Sequence, residues 1–199
     1  TTLEEYVFGG TAPSSVVIPN GITSIGKGAF MDNPNLTSVS IPHTVTSIGD
    51  NAFAWCTNLS SATIPGSVTT IGKEAFMGCT ALENPIISKG VKSIGANAFA
   101  DCTSITAFEV SGENQNFVSK DGVIFTKDEK ELVMYPSGKT DAEYTIPSGT
   151  ERIREKAFAY NSNVEKINIS DSLREIGDYA FYGCTYTYTD EGGEKKNGG

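Results

Sequence analysis

A chain of 199 residues that is 38% apolar and 20% charged can bury a packed core, which excludes global disorder. Its formal charge of −9, spread as −4 over residues 1–110, −3 over 111–145 and −2 over 146–199, excludes the clustered Lys/Arg of a nucleic-acid binder. One histidine excludes a His-rich metal site, and no run of about 18 apolar residues offers a membrane span.

Taken in chain order, Thr1 in place of Met reads as a processed or trimmed start. Tyr6-Val7-Phe8, followed by Gly9-Gly10, reads as an N-terminal cap over residues 1–15. From residue 16 the sequence recurs every 23 residues. Ile18, Ile41, Ile64 and Ile87 hold one register, Ile25, Ile48, Ile71 and Ile94 a second, and Phe30, Phe53, Phe76 and Phe99 a third. Gly26, Gly49, Gly72 and Gly95 follow the second set. Later, Ile146 and Ile169, Ile153 and Ile176, and Phe158 and Phe181 resume the same step.

One row, Leu36 to Cys56, shows what each position does. Val39 and Ile41 share one face of a short strand, and Ser38 and Ser40 face the other way. Pro42 lacks an N–H and ends the ladder. Val45 and Ile48 bring a short-helical or irregular return back over the interior. Gly49 suits a tight or left-handed corner, although Arg154 at the equivalent position argues that left-handedness is not obligatory. Ala52 lets neighbouring coils approach, and Phe53 fills the interior. Such a unit cannot bury its own face, so copies must stack into a solenoid over residues 16–189.

An insertion breaks the array at about 111–145. Val123-Ile124-Phe125 and Leu132-Val133-Met134-Tyr135 flank the polar Lys127-Asp128-Glu129-Lys130. That pattern predicts a β-hairpin extending from one side, either covering core or projecting as a contact loop. After Cys184 the apolar registers stop. Tyr186 and Tyr188 are candidate caps for the last coil. Residues 190–199 read as a flexible tail or linker, with more protein expected beyond.

The row I-P-x-x-V-T-x-I-G-x-x-A-F-x-x-C-T-x-L resembles the BspA-type (treponemal-type) leucine-rich repeat, over roughly residues 14–185, although the chain has only 6 Leu. The resemblance implies an α/β-type leucine-rich repeat solenoid. Short parallel strands would line the concave face, with irregular or short-helical returns and one inserted β-hairpin. It further implies a bacterial, secreted or cell-surface adhesion module.

Candidates for chemistry are few. Cys56, Cys79, Cys102 and Cys184 share one repeat position with Asn33 and Asn161, which predicts a buried side chain bonding to a turn backbone. Three neighbouring cysteines cannot all pair, so a ladder of free thiols is expected. His43, alone at a variable position, offers no triad. No cofactor, metal or catalytic residue is expected. The remaining candidate is the outward strand face: Ser15 and Val17, Ser38 and Ser40, Ser61 and Thr63, Asn84 and Ile86, Ala107 and Glu109, Glu143 and Thr145, Lys166 and Asn168. Of these, Ser38, Ser40, Ser61, Thr63, Asn84, Ile86, Glu109, Glu143, Lys166 and Asn168 are the candidate partner contacts. The expected function is non-catalytic binding of a host, matrix or cell-surface protein by a monomer. The alternative is a structural spacer or self-association unit of a larger surface protein.

Overall fold

The computed structural model describes residues 1–184 and the strands Tyr186–Thr189 and Lys195–Gly198, which pair antiparallel. Most of the expected 190–199 tail, and the side chains of Tyr186 and Tyr188, lie outside the described residues.

Each coil contributes to two parallel ladders. The first runs through Ser15–Val17, Ser38–Ser40 and Ser61–Ala62, with Ser15, Ser38 and Ser61 in register. It resumes with Ile86–Ile87 beside Glu109–Val110, and again with Glu143–Thr145 beside Lys166–Asn168. The strands and their 23-residue register follow the sequence pattern, but the seven rungs form three separate pieces. Pro85 stands where Ala62 pairs one coil earlier. It has no N–H to donate, and Asn84 before it takes a left-handed φ of 43°. The inserted residues make the second break.

The second ladder runs through Thr2–Leu3, Ser24–Ile25, Ser47–Ile48, Thr70–Ile71 and Ser93–Ile94. Thr2–Leu3 was expected in the N-terminal cap and the other four segments in the return. They are strands of only two residues, too short for an alternating pattern to register in sequence. The N-terminal residues extend the array. Leu3 pairs beside Ile25, and Phe8 stacks on Phe30 at 5.2 Å.

No helix occurs among the described residues, so the expected short-helical returns, and with them the α/β class, are corrected to an all-β solenoid. The reason lies in two left-handed residues per coil. Asn51 and Trp55 have φ of 55° and 62°, and Glu74 and Lys156 repeat the first of these positions. Each reversal stops an i→i−4 ladder from propagating. Ala52, Ala54 and Cys56 instead close single turns onto Gly49, Asn51 and Phe53. Between them Asn51, Phe53 and Trp55 donate sideways to Lys73, Ala75 and Met77 of the next coil, at 2.7–2.8 Å. The return is thus half turn and half ladder.

Gly49 and Gly72 are not left-handed; they are there for proximity. A Cβ on Gly49 would lie 2.8 Å from the carbonyl carbon of Gly26, and one on Gly72 would lie 2.5 Å from the amide nitrogen of Asp50. Arg154 escapes this because the coil before it is two residues shorter: Leu132 pairs with Ile153, yet Tyr135 already sits against Phe158.

The inserted strands are buried at Val123, Ile124, Phe125, Leu132, Val133 and Met134, while Lys127, Asp128 and Lys130 at the hairpin turn are exposed. The expected hairpin is present as Val123–Thr126 antiparallel to Glu131–Met134, and Phe117–Lys120 adds a third strand. Glu131–Met134 then pairs parallel with Arg152–Ile153 and so becomes a rung of the second ladder. Ile124, Val133 and Met134 pack into the N-terminal core, whereas Val123, Phe125 and Leu132 pack into a second, C-terminal one. The interior aromatics therefore form two stacks. Phe8, Phe30, Phe53, Phe76 and Phe99 repeat at 5.1–5.2 Å, and Tyr135, Phe158 and Phe181 begin again beyond the inserted strands.

Candidate functional site

Two surfaces carry chemistry worth considering: the outward face of the first ladder, and a notch on the ridge of left-handed turns.

On the strand face, register aligns the side chains in rows. Ser15, Ser38 and Ser61 form one row, with the Ser38 hydroxyl 3.2 Å from that of Ser15. Val17 pairs beside Ser40, and Ile86 beside Glu109. Thr63 and Asn84 lie exposed between these pieces. Val17 is 75% exposed and Ile86 52%, the most outward apolar side chains of this face. Glu109 forms no ion pair among the described residues.

The last piece is different. Glu143 accepts from Lys166 at 2.8 Å and from Asn168 at 2.7 Å, and Asn168 also donates to Thr145. Lys166 foremost, and then Asn168, hold the Glu143 carboxyl below the usual carboxylate range. Glu143, Lys166 and Asn168 are therefore engaged with one another.

The thiols behave as the repeat position implied. Cys56, Cys79, Cys102 and Cys184 are free and buried, and each donates to the carbonyl of an interior Phe 26 residues earlier, at 3.0–3.1 Å. Asn33 and Asn161 fill the same role with amide donors to Phe8 and Pro136. Burial pushes the Cys56 thiol up to about 11, so these groups are poor nucleophiles. His43 is exposed. No cluster of three metal-binding side chains occurs among the described residues, and no helix is long and apolar enough to cross a membrane.

The turn ridge was not anticipated. Its aromatics lie over glycines of the following coil: the exposed Tyr6 over Gly28 and Trp55 over Gly78, and the half-buried Tyr160 over Gly183. The sequence signal was available as aromatics at the two left-handed positions, but those positions vary too much to stand out. Gly28, Asn51, Glu74, Asn97, Lys156 and Tyr179 form one row of the ridge. The shortened inserted coil supplies no member, which leaves a notch of about 410 Å³ lined by Glu74, Asn97, Lys156, Tyr160, Tyr179 and Tyr182. Tyr182 meets Tyr160 edge-on at 5.6 Å and Tyr179 at 6.0 Å. Asn97 is buried, and its Oδ1 has no hydrogen-bond partner among the described residues.

Parallel strands stacked at a 23-residue step over an interior aromatic ladder define a leucine-rich repeat solenoid. The chain belongs to the BspA-type family: the model for the BspA type leucine rich repeat region matches six copies, over residues 1–121 and 139–191. Among solved structures it is similar to a leucine-rich repeat protein from Eubacterium ventriosum, at 32% identity and a TM-score of 0.73, covering 86% of this chain and 52% of that one. It is also similar to the pneumococcal vaccine antigen PcpA, at 28% identity and 0.69, covering 87% and 49%. A leucine rich cell surface protein from Faecalibacterium prausnitzii follows at 25% identity and 0.57, covering 93% and 62%. The chain thus spans about half the length of the first two. None of the curated proteins matches it.

Proposed function

We propose that this chain is a non-catalytic recognition module of the bacterial cell surface, holding a host, matrix or cell-surface protein against the outward face of the first ladder. The observation that carries the reading is the pair of exposed apolar side chains, Val17 and Ile86, set among small hydroxyl residues on a rigid, registered face. Side chains held by backbone pairing lose little entropy on binding, so a partner that covers them keeps most of the burial energy. The engaged state of Glu143 and Lys166 moves the expected contact toward Val17, Ser40, Thr63, Ile86 and Glu109. The descriptions of the pneumococcal antigen and the Faecalibacterium protein support a surface location. Buried thiols and a lone exposed histidine support the absence of catalysis.

The test is a surface-binding screen of the chain against matrix and cell-surface proteins. We expect a saturable partner whose affinity falls at least ~10-fold in the double variant Val17→Asp, Ile86→Asp, and little in Glu143→Gln. A screen with no partner favours the structural-spacer alternative. A partner indifferent to the double variant rules out the strand face.

A further inference from the structure

We propose that the plane between the Asn97 coil and the inserted coil is a hinge, along which the solenoid opens into two rigid halves with the notch as its mouth. Every ladder is interrupted at this plane. In the second ladder Ser93–Ile94 ends one sheet, and the inserted strands begin the next. In the first, Glu109–Val110 pairs only with Ile86–Ile87, and Glu143–Thr145 only with Lys166–Asn168. On the ridge, Glu74, Phe76 and Gly78 donate their N–H groups to Ala96, Ala98 and Ala100 at 2.7–3.0 Å. Lys156, Phe158 and Tyr160 donate likewise to Asp178, Ala180 and Tyr182 at 2.8–3.1 Å. Asn97, Phe99 and Asp101, which lie between, have no backbone acceptor among the described residues.

Closure is costly on the ridge side. Asn97 Oδ1 and the Tyr135 hydroxyl are both buried without a partner among the described residues. They line one void, shared with Phe99, Met134 and Lys156, that is too small to admit a water molecule. Each buried polar group left unpaired opposes closure, and opening hydrates both. Phe99 and Met134, packed in the N-terminal core, oppose opening, so the two states compete. The other side of the plane is tied. The Asn114 amide donates to the carbonyls of Ser88 and Val91 at 2.8 and 3.0 Å, the Ser119 hydroxyl to Phe108 at 2.7 Å, and the Gly138 N–H to Ile105 at 2.9 Å. Among the described residues no backbone hydrogen bond or ion pair joins residues 92–101 to a later coil. A joint bonded along one edge and unbonded along the other turns about the bonded edge. The outward face from Val17 to Glu109 then moves as one piece, and the Glu143–Lys166 piece changes its angle to it.

The experiment measures distances between spin labels in the whole chain, since the four native thiols are buried and leave introduced cysteines to be labelled. One pair, Lys73→Cys with Tyr182→Cys, spans the mouth; the other, Glu109→Cys with Glu143→Cys, spans the bonded edge, all four at exposed positions. We expect the mouth pair to show a second, longer distance and the edge pair a single one. Tyr135→Phe removes a hydroxyl that only closure strands, so it should shrink the long population at least ~5-fold. Native-state hydrogen exchange gives an independent readout. The Phe99 amide should exchange faster than the Phe76 amide, through an opening less sensitive to denaturant than global unfolding, and Tyr135→Phe should slow it. The double variant Val17→Asp, Ile86→Asp should open as wild type does, so failure of the strand-face reading would be seen separately. The proposal is overturned if the mouth pair shows one distance, if both pairs broaden alike, or if Tyr135→Phe leaves the long population and the Phe99 exchange unchanged.

Discussion

The Cys79 thiol donates to the carbonyl of Phe53, which accepts from the Cys56 N–H within its own turn and leaves its second lone pair to be filled from the next coil. A Cys or an Asn meets that need, and this explains their exchange along the repeat: both carry a donor on a short stem. Here the sequence was legible because one physical requirement recurs at one register. Replacing Cys79 with Val removes the donor while keeping a small apolar side chain. Chemical denaturation should show a loss of about 0.5–1.5 kcal/mol, the net contribution of one hydrogen bond, because the Phe53 carbonyl keeps its bond from Cys56. A neutral outcome would mean that the S–H contact contributes nothing. Burial also makes stability depend on alkaline pH. It raises Cys56 from an ordinary 9.0 to about 11, and Cys79 and Cys184 move in the same direction. Above pH 9 the unfolded thiols release protons that the folded chain retains. Stability should therefore be flat below about pH 9 and fall toward pH 11, with the slope reduced in Cys56→Ala. Native thiols should resist disulfide reagents at pH 8, with all four reacting in denaturant. Reaction in the native state would contradict the buried ladder.

At the scale of elements, strands that repeat were readable and segments that depart from repetition were not. The Val39 and Ile41 positions alternate over three residues and recur, so the first ladder followed from the pattern. The second ladder, of two-residue strands such as Ser47–Ile48, left no alternation to detect. The turn ridge was hidden for a related reason: left-handed φ at Glu74 or Lys156 is imposed by cross-coil hydrogen bonds, against local preference. The inserted strands were recognised as a hairpin, but their apolar runs could not reveal that both faces are covered. Val123–Thr126 divides the two cores, with Ile124 facing one and Phe125 the other. This division predicts a directional effect. Ile124→Ala should cost about 2–5 kcal/mol and speed amide exchange mainly in coils before residue 110. Phe125→Ala should cost about 3–5 kcal/mol and act mainly after residue 144. Equal deprotection of both halves by either variant would show that the inserted strands join one cooperative core instead of separating two.

For the whole molecule, stability is a sum over neighbours, because each coil touches only the coils beside it. The candidate surfaces follow from this. Registered rows such as Val17–Ser40 repeat and were readable as a face, whereas the notch exists only because one coil falls two residues short, and a defect in a repeat has no motif of its own. The same logic grades the interior aromatics. Phe76 is fully buried and stacks on Phe53 and Phe99, both at 5.1 Å. Phe181 is half-buried and stacks on Phe158 at a tilted 5.1 Å, in a coil whose Ile176 and Tyr179 are exposed. Phe76→Ala therefore opens a cavity walled on two sides and should cost about 3–5 kcal/mol. Phe181→Ala removes one stacking neighbour at a site already near solvent, so about 1–2 kcal/mol is expected. Hydrogen exchange should show the matching gradient, with the slowest amides in the coils of Phe53 and Phe76 and the fastest in the coil of Phe181. Equal costs for the two substitutions would mean that the coils unfold as one block, and nearest-neighbour stacking would no longer explain how this chain holds its shape.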